Sequence, residues 1–273
     1  MNAHLLGTDV GDVLHSILTD TSSIVFVVNP TRAIIERLLA EVSTTEVGGT
    51  TIRVLGEART LKEVMDDFVI ASSTADLVEV DVLELRSVPG YDRTPMIVTA
   101  DSVTTLVAVD TRIGGLSTTE GTFPEQVFTA VENEWDDAAP FEIRTPARSR
   151  ITETLESTLG TAVRDDFEAV LDALETANRG GLSVDEVTIS LLVAARNEVL
   201  LYDISKWGED VGIASKATFS RTKTKLEDYG LIDTEKVPIE VGRPRLRLKF
   251  QNPDLEDADP GDLVEYVRTS MMA

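Results

Sequence analysis

Residues 201–232 read LYDISKWGEDVGIASKATFSRTKTKLEDYGLI, and the fold of the C-terminal part of this 273-residue chain turns on them. Apolar positions at helical spacing predict one helix over 201–208 and another over 216–229, separated by a turn centred on Gly212. Ser215 stands where an N-cap would sit, and Phe219 and Leu226, seven apart, lie on one face of the second helix. Gly230 then stops that helix, as a glycine just past its end does. Upstream, 184–196 turns Val187, Leu191, Leu192 and Ala195 inward on a third helix. Downstream, 231–237 reads as a strand, Val241-Gly242-Arg243-Pro244-Arg245 as a tight turn, and 246–250 as a returning strand. Three helices and a two-stranded wing make 183–250 a winged helix-turn-helix.

That register leaves Lys216, Ala217, Thr218, Ser220, Arg221 and Thr224 outward. A recognition helix meets base edges mainly through its N-terminal residues, and the planar fork of Arg221 suits guanine O6 and N7 together. Lys225 and Lys206 suit phosphates. Arg243 and Arg245 flank Pro244 on a turn expected to hold both guanidiniums outward, toward backbone or minor groove.

The run Ser-x-x-Thr-Φ-Ser-Arg at 215–221, followed by Leu-Glu-x-x-Gly-Leu-Ile at 226–232, resembles the helix-turn-helix core of prokaryotic winged-helix transcription regulators. In layout and composition the chain is similar to the haloarchaeal TbsP regulators, with an acidic α/β domain ahead of a winged helix. The resemblance implies a sequence-specific DNA-binding transcription regulator of a halophilic archaeon. Its implied partners are double-stranded promoter DNA, a second copy of the chain in a homodimer, a small-molecule effector and other transcription factors. Lys223 departs from the pattern, since related helices often carry an apolar residue there. Either its stem runs along the core edge or the register is one residue out.

Charge is distributed unevenly along the chain. Twenty-five Lys+Arg stand against 48 Asp+Glu, a net of −23, while 42% of residues are hydrophobic, so the acidity does not signal disorder. Only seven of the basic residues are Lys. Acidic, Lys-poor and folded fits a cytoplasm at molar salt, where screening shortens to about 3 Å. An ordinary acidic protein that avoids nucleic acid is the competing reading. Residues 215–249 nevertheless hold nine Lys/Arg against five Asp/Glu, a net of +4, between segments of −22 and −5. The basic segment coincides with the recognition helix and wing.

The first half, 1–145, alternates strand and helix signals. A β-branched run at 23–29, a helix at 32–42, a strand at 50–55 and a helix opening at Thr60 with Leu61, Val64, Met65, Phe68 and Val69 on one face predict a βαβ-type mixed sheet. Strands at 81–88 and 96–109 follow, the second bent or broken at Ala100-Asp101-Ser102, and then a helix at 123–135. This α/β domain is read as mediating dimerisation, small-metabolite sensing or both. Its one local ligand candidate is Asn29, Thr31 and Arg32, where strand meets helix: backbone N–H groups and a guanidinium suit an anion, although Asn-Pro-Thr is also ordinary capping chemistry. Residues 146–182 are a helical connector of the kind that pairs with a second copy of itself, ended by Asn178-Arg179-Gly180-Gly181. Residues 251–273 are an acidic tail with a short helix at 261–271. Asp66-Asp67, Asp136-Asp137 and Asp165-Asp166 read as solvated faces, because adjacent carboxylates on a helix point about 100° apart.

No cysteine is present, which removes thiol nucleophiles, Cys-based zinc sites and disulfides. The two histidines, His4 and His15, form no metal-ligating spacing, and no run approaches the roughly 18 apolar residues of a membrane span. The expectation is a cytoplasmic, non-enzymatic protein without cofactor, catalytic residues, metal or membrane contact. Two alternatives stay open: an adaptor whose winged helix binds protein, and an α/β enzyme with an appended DNA-binding domain.

Overall fold

The computed structural model describes residues 4–5, 10–20, 23–44, 49–109, 112–177, 184–238 and 244–272. They form two compact units, one of Met1–Asp66 with Ser73–Arg144, the other of Asp67–Ser72 with Thr145–Ala273.

The first unit is built on a mixed eight-stranded sheet. Its strands are β1 (His4–Leu5), β2 (Ile24–Val28), β3 (Thr51–Glu57), β4 (Leu83–Val88), β5 (Met96–Val98), β6 (Val103–Val109), β7 (Arg112–Thr118) and β8 (Ala139–Pro140), in the spatial order β1-β7-β6-β5-β2-β3-β4-β8. The β2, β3 and β4 strands run parallel, joined by helices, and the remaining pairs are antiparallel. Helices of this region are α1 (Val10–Asp20), α2 (Arg32–Thr44), α3 (Ala58–Met65), the part of α4 (Phe68–Glu79) from Ser73 onward, and α5 (Phe123–Asp137). The uniformly apolar β2 is buried on both faces, as parallel strands are. Phe26 meets Trp135 of α5 edge-on at 5.9 Å, and the Arg53 and Arg86 guanidiniums lie 5.4 and 5.0 Å from the Trp135 ring. Arg86 also donates to the Trp135 carbonyl at 2.7 Å, satisfying one of the open carbonyls at the end of α5.

Three departures from the sequence reading have local causes. The single helix expected from Thr60 is two, because the Asp67 carboxylate accepts from the Val69 and Ile70 N–H groups at 3.1 and 3.3 Å and starts α4 afresh. Asp67 is therefore a buried cap, not part of a solvated face. Asp166, also expected in solvent, accepts from Asn197 Nδ2 at 2.7 Å, whereas Asp136 and Asp137 are exposed. β7, which contains Gly114-Gly115, lies where the sequence predicts no element. A Cβ on Gly115 would lie 2.9 Å from Thr104 and 3.2 Å from Val13 of α1, so the close approach of helix to sheet selects glycine there.

The second unit contains α6 (Arg148–Leu159), α7 (Thr161–Ala177), α8 (Glu186–Arg196), α9 (Leu201–Val211), α10 (Lys216–Asp228), β9 (Ile232–Val237), β10 (Arg245–Phe250) and α11 (Pro260–Met272). One core runs through all of it, including Ile151, Leu155, Phe167, Leu171, Trp207, Phe219 and Val267. The apolar faces of α6 and α7 are thus covered within the chain, which removes the reason to expect them to pair with a second copy. The C-terminal segment is likewise no free tail: Leu263, Val264 and Val267 are buried, and Arg196 donates to the carbonyls of Glu256, at 2.9 Å, and Ala258. The expected break at 178–181 lies outside the described residues, as does the wing turn at 241–243.

Candidate nucleic-acid interface

The α9 and α10 helices form the helix-turn-helix, and glycine sets how closely they cross. A Cβ on Gly208 would lie 2.4 Å from the buried Phe219 ring, so only glycine admits this approach. Gly212 ends α9 in the left-handed region at φ 96°, and Ile213 N–H returns to the Gly208 carbonyl at 2.8 Å. Ser215 accepts from Thr218 N–H at 3.2 Å and caps α10. At the other end Gly230, at φ 71°, makes a Schellman closure: its N–H bonds the Glu227 carbonyl, and Leu231 N–H bonds that of Leu226.

With Phe219 and Leu226 buried, the predicted register of α10 holds. Lys223 lies at the core edge with its ammonium on Glu227 at 2.6 Å, so its stem runs along the apolar boundary as one of the two alternatives required. Lys216, Ala217, Ser220, Arg221, Thr224 and Lys225 are exposed, and Thr218 is half-buried with its hydroxyl 3.1 Å from Ser215 Oγ. Thr224 Oγ1 donates back to the Ser220 carbonyl at 3.1 Å. Among the described residues no carboxylate pairs with Arg221 or Lys225. Arg221 has only a long contact to Thr218 Oγ1, at 3.4 Å.

The other basic candidates are held by acids. Lys206 pairs with Asp210 at 2.5 Å and Lys216 with Glu209 at 2.8 Å, and these contacts raise the pKa of both lysines and lower that of Glu209. Arg245 does not point outward as expected. Its guanidinium lies 4.3 Å from the Tyr202 ring centre and 3.4 Å from Asp203, because a planar cation gains by stacking on an aromatic face beside a carboxylate. Arg243 lies outside the described residues. Glu209, Tyr202 and Asp203, which hold Lys216 and Arg245, are not marked out by any pattern in the sequence. Nothing in the spacing of Glu209 and Lys216 distinguishes a contact made around a turn.

At the N-terminal candidate site the polar groups have internal partners. Asn29 adopts φ 46°, its N–H donates to the Leu55 carbonyl at 2.7 Å, and its Nδ2 donates to the Arg93 carbonyl at 2.5 Å. The Thr31 carbonyl accepts from Ile34 and Ile35, and Arg32 pairs with Glu36 at 2.6 Å. Asn29 therefore joins β3 to the segment before β5, while the Thr31 carbonyl and the Arg32–Glu36 pair belong to the first turns of α2 itself. One helix over, Glu57 caps α3 by accepting from Thr60 N–H at 2.8 Å, which with the Gly90 and Arg59 N–H groups holds its pKa down. Among the described residues no helix is long and apolar enough to cross a membrane.

Comparison with known proteins divides the chain in two. Residues 2–146 match the family model described as transcriptional regulator TbsP-like, N-terminal, and residues 147–268 match that of the TbsP-like C-terminal HTH domain. Among solved structures it is similar to TrmBL2, an archaeal chromatin protein described as showing a novel mode of DNA binding. That likeness has 14% identity and a TM-score of 0.39, over 51% of this chain and 54% of the other, so the chain spans about half the length of that structure. No curated protein matches the chain.

Proposed function

This chain belongs to the TbsP-like transcriptional regulator family, and from that premise we propose that it reads a specific duplex sequence by laying α10 in the major groove. The carrying observation is the Ser215-capped helix whose exposed face joins Lys216, Ser220, Arg221, Thr224 and Lys225 within the net-positive segment. Arg221 is the base reader, Lys225 the principal phosphate contact, and Thr218 an aid to holding the Arg221 fork. Lys206 and Arg245 reach phosphate only on leaving Asp210 and Asp203, and Arg243 belongs to the wing contact. The test is binding of Arg221→Ala to a selected target and to a random-sequence duplex. Discrimination should fall roughly 10- to 100-fold, the worth of one bidentate base contact, with the unfolding midpoint unchanged. Unchanged selectivity would refute the assignment.

The N-terminal unit takes the roles of self-association and metabolite sensing. Support for self-association is a charge-poor stretch: 94–124 has four charged residues in 31, and it exposes Val107, Leu116 and Phe123. A second copy of a −23 chain approaches most easily where charge is least, as interface cores are depleted of it. Leu116→Glu should shift the chain toward monomer in sedimentation. Support for sensing is a shallow cavity of about 360 Å³ lined by Val88, Gly90, Tyr91, Arg93, Glu134 and Ala138, off the carboxyl end of β4. Tyr91 donates to Glu134 there at 2.7 Å. The excess of Asp and Glu and scarcity of Lys support a halophile's cytoplasm as the setting in which the chain works.

A further inference from the structure

The spot where a DNA phosphate would meet the start of α10 already holds a carboxylate. Glu209, near the end of α9, receives the Lys216 ammonium at 2.8 Å and also accepts a long contact from the Lys216 backbone N–H at 3.4 Å. That N–H belongs to the first turn of the recognition helix, where unbonded amides and the helix dipole favour an anion. Beside it, Asp210 receives Lys206 at 2.5 Å. All four side chains are about half exposed, so neither pair is locked in a low-dielectric interior.

We propose that Glu209 and Asp210 are specificity-determining residues: built-in competitors that occupy Lys216, Lys206 and the α10 N-terminus until DNA displaces them. The proposal rests on the DNA-reading assignment of α10. A phosphate entering this position must separate both ion pairs, and the two freed carboxylates, now near the DNA backbone, each take up a cation. Binding therefore consumes cations at these two positions while it releases them from the DNA. Each lysine–phosphate contact adds about −0.9 to the slope of log K against log salt, and each cation taken up returns nearly as much. The two lysines contribute almost nothing to the net slope. Random DNA, which offers only phosphates, is rejected at low salt. A target that satisfies Arg221 still binds, because its base contacts do not depend on that exchange. Negative charge placed against the wrong partner is a recognised route to specificity.

The experiment measures affinity of the full chain for a random-sequence duplex and for a selected target between about 0.1 and about 1 M KCl. The variant is Glu209→Gln with Asp210→Asn, which keeps acceptors for the Lys216 amide and ammonium. A control, Asp262→Asn with Glu265→Gln, removes the same charge from the exposed face of α11. The variant should bind random DNA on the order of 10- to 100-fold tighter at the low-salt end, with the gap closing toward the high-salt end and the slope steeper by up to about 2. An unchanged slope, or an equal change in the control, overturns the competitor role. If the wild-type chain and the variant still separate target from random duplex, that failure leaves the reading by Arg221 standing. If the wild-type chain binds no duplex at any salt, both proposals fall.

Discussion

Two helix N-termini, those of α2 and α10, offer the same ingredients: a capping residue, open backbone amides and a nearby cation. At α2 the asparagine and the cation are tied within the chain, since Asn29 ties β3 to the loop before β5 and Arg32 lies on Glu36 one turn along. At α10 the cap is local, through Ser215, while Arg221 and Lys225 face solvent with no carboxylate on them among the described residues. The contrast lies further along the helix: Lys216 at the start of α10 is held by Glu209 much as Arg32 is held by Glu36, and it is Arg221 and Lys225 beyond it that stay exposed. Local sequence does not decide this, since both segments carry equally good capping chemistry.

The largest test of this contrast removes what orients α10. Phe219→Ala should cost about 3–5 kcal/mol, and Gly208→Ala about 1–3 kcal/mol, because the ring facing Gly208 has no room to retreat. Both are read as loss of unfolding free energy in urea, and a neutral Gly208→Ala would show that the two helices can separate without cost.

A finer test compares the caps themselves. Ser215→Ala should cost about 1 kcal/mol, since a real side-chain bond is lost, and Thr31→Ala less than about 0.5 kcal/mol, since the contribution of Thr31 to α2 is its carbonyl. Equal costs would erase the distinction drawn between the two sites. Arg32→Ala should leave DNA affinity unchanged and alter stability by no more than about 0.5 kcal/mol, the worth of an exposed i,i+4 pair.

The smallest effect concerns a third helix start, that of α8. Asp185 caps it by accepting from Thr188 N–H at 2.7 Å, and Glu186 beside it is partly buried, which raises its carboxyl pKa. A carboxyl with a raised folded-state pKa binds its proton more tightly when folded, so stability falls as pH rises from the ordinary value of 4.5 through the raised one. Glu186→Gln should therefore raise the thermal midpoint slightly at neutral pH, with the gain vanishing in acid. A gain that persists at low pH would rule out burial of the charge as its cause.

Where periodicity and punctuation agreed, the chain was legible. Helices α8, α9 and α10 follow from apolar spacing with Gly212 and Gly230 as stops, and the two wing strands fall where the sequence predicts them, with Leu248 and Phe250 inside. The structure corrected the reading where the contacts of a residue, not its type, set its role. Asp67 reads as half of an acidic pair yet caps the helix that follows it, and 112–118 reads as no element yet forms a strand whose Gly115 lets α1 approach. The α11 helix reads as the end of an acidic tail, yet it buries Val267 completely.

The same division holds at the reading surface. Sequence by itself determined that α10 exists, which face it buries, that Arg221 lies on the other face and that a net-positive segment surrounds it, because helical register and charge are local properties of the chain. Tertiary structure decided which further cations are held: Arg245 folds back on Tyr202 and Lys216 is held by Glu209, whereas Lys206–Asp210 is an i,i+4 pair already contained in the helical register. Pairing of exposed charges depends on separations of a few ångströms, and for Arg245 and Lys216 those are set by how helices and strands cross, which no spacing along the sequence encodes.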